Sequence, residues 1–192
     1  MEFRFSSAFI GMNCTITQTG GPVVYTVDTP TKFPPMTSTF ARGDTGPYAT
    51  VEWKGFSARL RMGGLDVDMD EWLHRVKWWH PSRKFQVKDT EFHWVDSVWL
   101  PSWIFKQALK LTPASDENHV LATITWGPLK EPILTVEQEA LATVPLDIII
   151  LSGVVMLYYK KSQQGSGAGE LYSYQFSRVL GELINALDVD VN

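Results

Sequence analysis

The stretch that most constrains this chain is residues 145–161, PLDIIILSGVVMLYYKK. From Ile148 to Tyr159 only Ser152 and Gly153 interrupt an apolar run, and no side chain in it carries charge. A helix that is apolar all round has no face for water, so it belongs in a core or in a membrane. Crossing a bilayer takes about 18 to 20 apolar residues, and this run has roughly a dozen before Lys160 and Lys161. The length predicts a helix over about 145–160 enclosed by the protein's own sheet. The remainder of the chain then reads as its wrapper.

Composition fits that reading. A chain of 192 residues suits one domain with an appendage. Eight Trp, ten Phe and six Tyr favour strands and large buried side chains. The formal net charge of -4 provides no global basic field, so nucleic acid is not an expected partner. Cys14 is the sole cysteine, which excludes an internal disulfide and every multi-cysteine zinc motif. Met1 to Phe5 lacks the apolar core of a signal peptide, so a cytoplasmic protein is expected, with peripheral membrane attachment as a variant.

Strand signals fill most of the first 140 residues. Cys14 to Thr17 and Val23 to Val27 flank Gly20-Gly21-Pro22, a hairpin pattern. Thr37 to Arg42 and Tyr48 to Lys54 flank a second turn at Gly43-Asp44-Thr45-Gly46-Pro47. The clearest alternation sets Ala58, Leu60 and Met62 against Ser57, Arg59 and Arg61 and ends at Gly63-Gly64. Val67 and Met69 repeat it, with Asp66, Asp68 and Asp70 outward. Further candidates are Phe85 to Val87, Glu91 to Val95, Trp103 to Leu111, His119 to Trp126 and Ile133 to Val136, the last continuing toward Leu141. About ten to twelve short strands before one apolar helix predict an all-β barrel or sandwich.

Beyond the lysine pair, residues 162–170 are a flexible linker by composition. Residues 171–188 follow, with Tyr172, Phe176, Val179, Leu180, Leu183 and Leu187 at helical spacing. This amphipathic helix is expected to dock on the barrel or on a second copy of the chain, or to serve as an arm for a protein partner. The expected division is a domain over 1–161 with its central helix, the linker, and the tail helix.

The order of several landmarks resembles a fungal domain family of unknown function placed in the tubby C-terminal-like, phospholipid scramblase-like superfamily. The landmarks are Val24-Tyr25-Thr26-Val27-Asp28-Thr29-Pro30, Thr37-Ser38-Thr39-Phe40 running into Arg42, and Val51-Glu52-Trp53. They continue with Ala58-Arg59-Leu60-Arg61-Met62-Gly63-Gly64, Lys84-Phe85, Glu91-Phe92-His93-Trp94 and Leu146-Asp147-Ile148-Ile149-Ile150. The resemblance covers roughly residues 3 to 161. It implies a closed β-barrel threaded by its C-terminal hydrophobic helix, and it brings no activity with it, because fold does not set function.

Residues 72–88 are the most suggestive local feature. They hold Arg75, Lys77, Arg83, Lys84 and Lys88 with His74 and His80, interleaved with Trp72, Trp78, Trp79 and Phe85. Basic side chains attract phosphate and tryptophan suits a membrane–water boundary, so this segment is a candidate site for an anionic lipid headgroup, joined by Arg59 and Arg61. The plainer alternative is a solvated loop whose tryptophans fold back on the barrel.

Other motifs carry less. Asp66 to Asp70 lacks the glycine and the terminal glutamate of a calcium loop. The four histidines show no metal-ligand spacing, and Cys14 has no nucleophile elbow around it. No cofactor or metal is expected. Asp147, with Thr143 and Pro145, reads as the start of the apolar helix. The expected function is non-enzymatic binding of anionic phospholipid at a membrane surface. The alternatives are a protein-interaction or self-association module using the tail helix, and then an enzyme of unknown chemistry.

Overall fold

The computed structural model describes residues 1–6, 13–30, 36–54, 57–76, 82–96, 107–127 and 130–163, with side chains through residue 160. Among these residues thirteen strands form one antiparallel sheet. In chain order they are β1 (Glu2–Phe5), β2 (Cys14–Gln18), β3 (Val23–Asp28), β4 (Met36–Arg42), β5 (Gly46–Lys54), β6 (Ser57–Met62) and β7 (Leu65–Asp68). After α1 (Met69–Trp72) come β8 (His74–Arg75), β9 (Arg83–Val87), β10 (Thr90–Asp96), β11 (Gln107–Pro113), β12 (Ala122–Gly127) and β13 (Lys130–Val136). The helices α2 (Ala140–Thr143) and α3 (Leu146–Gln163) close the described chain.

The alternation read in the sequence decides which side of each strand faces inward. Ala58 and Leu60 of β6 are buried while Ser57, Arg59 and Arg61 are exposed. Phe92, Trp94 and Asp96 of β10 and Ala122, Ile124 and Trp126 of β12 line the same interior. Between β6 and β7, Gly63 and Gly64 sit at φ 55 and 85 and join the closing pair Met62 and Leu65. Positive φ at both loop residues is the primed turn whose twist matches the strands, and glycine adopts it without strain.

Two strand boundaries differ from the sequence reading. The acid-outward alternation stops at Asp68, whose carboxylate accepts the Asp70 N–H at 2.8 Å and caps α1. A side chain that satisfies a first-turn amide favours helix over strand at that point, so Met69 is buried beneath α1. The last strand ends at Val136, and Ala140 to Thr143 is a helical turn. The expected strand from Trp103 begins within the described residues only at Gln107. Helix α3 runs to Gln163, past the expected linker start. The tail helix expected over 171–188 lies outside the described residues.

The sheet order runs β7-β6-β5-β4-β3-β2-β1-β13-β12-β11-β10-β9-β8. Its two edge strands are consecutive in the chain, separated only by residues 69–73. Thirteen strands laid flat at ~4.8 Å spacing would be about 58 Å across. The six Cα steps from Asp68 to His74 reach at most about 23 Å. The sheet must therefore curl until its edges nearly meet. The closed ring of ladders implied by the resemblance is not what forms, because β7 and β8 do not pair with each other.

Helix α3 fills the inside of the curl, and every described side chain from Ile149 to Tyr158 is buried. Both halves of the sheet touch it. Trp94 on β10 donates its Nε1–H to Ser152 Oγ at 2.9 Å, and Trp53 on β5 lies with its ring centroid 4.1 Å from that of Tyr158. Ser152 in turn donates to the Ile148 carbonyl at 2.6 Å. The two residues that interrupt the apolar run are thus the ones that let the sheet approach. A Cβ on Gly153 would lie 2.7 Å from Ile124 Cδ1 and 3.5 Å from Trp94 Cζ2.

Gly153→Ala sets two effects against each other. Alanine gains roughly 1 kcal/mol of helix propensity, while forcing Ile124 to move in a packed interior costs about 1–3 kcal/mol. A net loss of about 1 kcal/mol is expected in urea denaturation. The double variant Gly153→Ala/Ile124→Val removes the clashing methyl, so the two changes should cost less together than the sum of the singles.

Candidate functional site

Chain direction divides the molecule into two rims. β2, β4 and β6 end, and β3, β5 and β7 begin, at the rim where α3 starts; α3 then runs to the opposite rim, where Lys160 meets Asp96. The first may be called the entry rim and the second the exit rim.

At the entry rim a polar cluster gathers around Asp147 in the first turn of α3. Tyr25 on β3 donates its hydroxyl to Asp147 Oδ1 at 2.7 Å, and Arg42 at the end of β4 donates from Nη2 to the same oxygen at 2.6 Å. Tyr48 on β5 donates to the Asp147 carbonyl at 3.4 Å. Burial, and then the bond to Asp147, push the Tyr25 hydroxyl well above the usual phenol range; burial does the same to Tyr48. The Asp147 carboxylate holds Arg42 firmly in its charged form. The sequence reading of Asp147 as a helix-start residue is right about its position. Its hydrogen-bond partners Tyr25, Arg42 and Tyr48, however, come from three strands far away in the chain.

Beside this cluster a cavity of about 460 Å³ opens between the β2–β3 and β4–β5 turns. Met1, Pro22, Val23, Val24 and Leu146 give it apolar walls, and Arg42 and Asp44 give it charge. A second cleft of about 380 Å³, lined by Pro47, Tyr48, Met62 and Leu65, lies on the other side of the β4–β5 hairpin. Four large apolar side chains are exposed among the described residues, and three belong to these two clefts: Met1 at 43%, Val23 at 44% and Leu65 at 38%. Scattered exposed apolar residues are ordinary, but three of these four lie at one rim beside concave surfaces.

Among the described residues, most of the basic candidates read from the sequence are buried or paired with acids. Arg83 is only 4% exposed: its Nη1 donates to Asp70 and, at 2.8 Å, to the Leu73 carbonyl, while the guanidinium stacks 4.0 Å from the Tyr159 ring centroid. It pins α1, β9 and α3 together and is closed to an external headgroup. Lys84 pairs with Glu91 at 2.8 Å, and with His93 it holds that carboxyl below its usual range. Arg59 pairs with Asp66 at 2.5 Å and Arg61 with Asp66 and Glu52 at 3.5 Å; the bond from Arg59 holds the Asp66 carboxyl below its usual range. Arg75 on edge strand β8 and Lys88 in the β9–β10 turn are exposed. Lys77, Trp78 and Trp79 lie outside the described residues.

Reading along the chain missed Tyr25, Arg42, Asp44 and Tyr48 as one group. Arg42 stood out only as the residue ending a threonine-rich strand. A hydroxyl, a guanidinium and a carboxylate separated by about a hundred residues give no local spacing signal, and only the pairing of β4 with β3 and β5 brings them to one point.

Among the described residues no group of histidine, cysteine and acidic side chains has the arrangement of a metal site, and no helix is long and apolar enough to cross a membrane. No curated protein matches this chain. The X-ray structure of a protein from Arabidopsis thaliana is similar at 10% identity and a TM-score of 0.43, covering 82% of this chain and 88% of that one. A likeness at that level carries no conclusion about fold or function. A family model described as "Family of unknown function (DUF6593)" matches residues 11–161, most of the chain, and the chain belongs to that family.

Proposed function

We propose that this chain is a non-enzymatic binding module that docks on a membrane surface through the entry rim and takes a lipid headgroup there. The observation that carries the reading is the cavity at the start of α3. Its mouth exposes Met1 and Val23, and its wall holds the half-exposed guanidinium of Arg42, a side chain 42% open to solvent. Apolar tips enter the boundary zone of a bilayer, while a guanidinium beside them meets phosphate. Leu65 at the second cleft widens the contact. The protein would then be a cytoplasmic, peripheral membrane protein. A tubby-like barrel closed at the β7–β8 seam by α1, with no strand ladder there, is the finer fold we infer with it, supported by α1 bridging the two sheet edges and by the Arg83 bonds that tie α1 to β9.

One observation favours a second location for anionic headgroups. His74, Arg75 and Val76 are exposed at the exit rim, next in sequence to Lys77, Trp78 and Trp79. Co-sedimentation with vesicles of phosphatidylcholine mixed with phosphatidylethanolamine or with phosphatidylserine separates the two. The double variant Val23→Asp/Leu65→Asp changes only exposed side chains. It should weaken binding about tenfold or more, since two partly buried apolar contacts are together worth on the order of 1.5–3 kcal/mol. Arg75→Glu/Lys77→Glu should leave binding intact. The reverse pattern moves the site to the β8 edge, and a wild-type chain that pellets with no vesicle ends the membrane reading.

A further inference from the structure

We infer that the headgroup received at the entry rim is a zwitterionic ammonioalkyl phosphate, of the phosphatidylethanolamine kind, rather than one of net negative charge. This rests on the membrane reading above and narrows its chemistry. The charges of the cavity wall decide it. Arg42 is already balanced by the Asp147 carboxylate, so that pair adds no net positive field. Asp44, at the tip of the β4–β5 turn, also lines the cavity; its side chain is exposed and makes no ion pair among the described residues. The wall therefore offers a guanidinium whose fork bonds Asp147 through Nη2 and also meets the Tyr25 hydroxyl, and beside it a carboxylate with no ion pair among the described residues, while the Met1 ammonium donates to the Val136 carbonyl.

That pattern matches a phosphate with an ammonium a short chain away. The phosphate would meet Arg42 at the positive end of the α3 dipole, which Leu146 brings to the cavity wall. The ammonium would meet Asp44. Arg42 and Asp44 stand two residues apart, at most about 7 Å between Cα atoms, which suits the span of an ethanolamine phosphate. Between them Gly43 donates its N–H to the Val24 carbonyl at 3.0 Å, and a Cβ there would press to 3.1 Å on the Val23 carbonyl, so the wall stays thin where the headgroup passes. A serine headgroup brings an extra carboxylate against Asp44 and is disfavoured by like-charge repulsion, and an inositol headgroup has no ammonium for Asp44 to meet. A trimethylammonium group lacks the N–H donors that Asp44 would accept.

The test uses the full chain in two assays. In the first, amide shifts of Gly43, Asp44 and Leu146 are followed by NMR while soluble glycerophosphoethanolamine, glycerophosphocholine or glycerophosphoserine is added. In the second, vesicles of phosphatidylcholine mixed equally with phosphatidylethanolamine or with phosphatidylserine are co-sedimented. Ethanolamine ligands should shift these amides saturably and bind most tightly. Asp44→Asn should cost them about tenfold, the weight of one charge-assisted hydrogen bond, and should narrow the gap to serine ligands. Equal or tighter binding of serine ligands, an unchanged preference in Asp44→Asn, or vesicle binding with no shift at these amides overturns the inference while leaving the membrane module standing. Vesicle binding absent from every mixture overturns both.

Discussion

Replacing Arg83 with alanine is expected to destabilise the fold by about 2–4 kcal/mol, read as a drop in urea midpoint at unchanged m-value. The guanidinium is buried, and it joins three elements at once: the Asp70 carboxylate and Leu73 carbonyl at α1, its own strand β9, and the Tyr159 ring on α3. Removing it leaves a buried carbonyl without that donor and takes a cation from an aromatic face. The loss stays below that of a fully enclosed ion pair because Asp70 is half exposed and water can solvate it. Arg83→Lys should recover only part of the stability, since an ammonium cannot bond in a fork and stack on a ring together. Charge reversal by Arg83→Glu would set two acids against each other at the sheet's seam and should prevent stable folding. Loss of vesicle binding in such a variant would therefore report unfolding and not the loss of a lipid contact. Arg75 is the informative position in that segment.

The second large effect belongs to the ion pair at the exit end of the central helix. Asp96 on β10 has a fully buried side chain and Lys160 on α3 a nearly buried one, and the two are in direct contact. Asp96→Ala leaves an ammonium in the interior without its carboxylate, an arrangement that costs about 3–5 kcal/mol. Lys160→Met should cost a similar amount, because methionine fills the space of the aliphatic stem but leaves the fully buried Asp96 carboxylate without its ammonium. The double variant Asp96→Leu/Lys160→Met should regain most of the loss. Thermal or urea unfolding of the three variants measures the coupling; additive losses would show that the pair does not act as a unit.

The pair also explains how far the central helix could be read in advance. An apolar run of this length, interrupted only by Ser152 and Gly153, leaves few physical solutions, and enclosure by the chain's own sheet is the one found. Strand faces followed from alternation at β6, because a period of two is local information. Local information failed where a long-range partner won. Asp70 continues the outward pattern of Asp66 and Asp68, yet it sits in a helical turn and bonds Arg83, thirteen residues on. Arg83 itself had the sequence look of a surface cation among tryptophans, and burial against Tyr159 gives it a structural role instead.

What the sequence determined by itself was the class of fold: many short half-buried strands and one helix with no polar face, which hydrophobic burial can satisfy only with the helix inside. Tertiary structure alone decided which charges are available. Each cation carries the same charge in the chain, but Arg83 is closed off by packing, Lys84, Arg59 and Arg61 are matched by acids across a strand pair, and Arg42 is carried to a cavity by the register of β3 with β4. Charge is a property of a residue. Its freedom to meet a ligand depends on neighbours distant in sequence, and these are set only when the sheet curls and its strands pair.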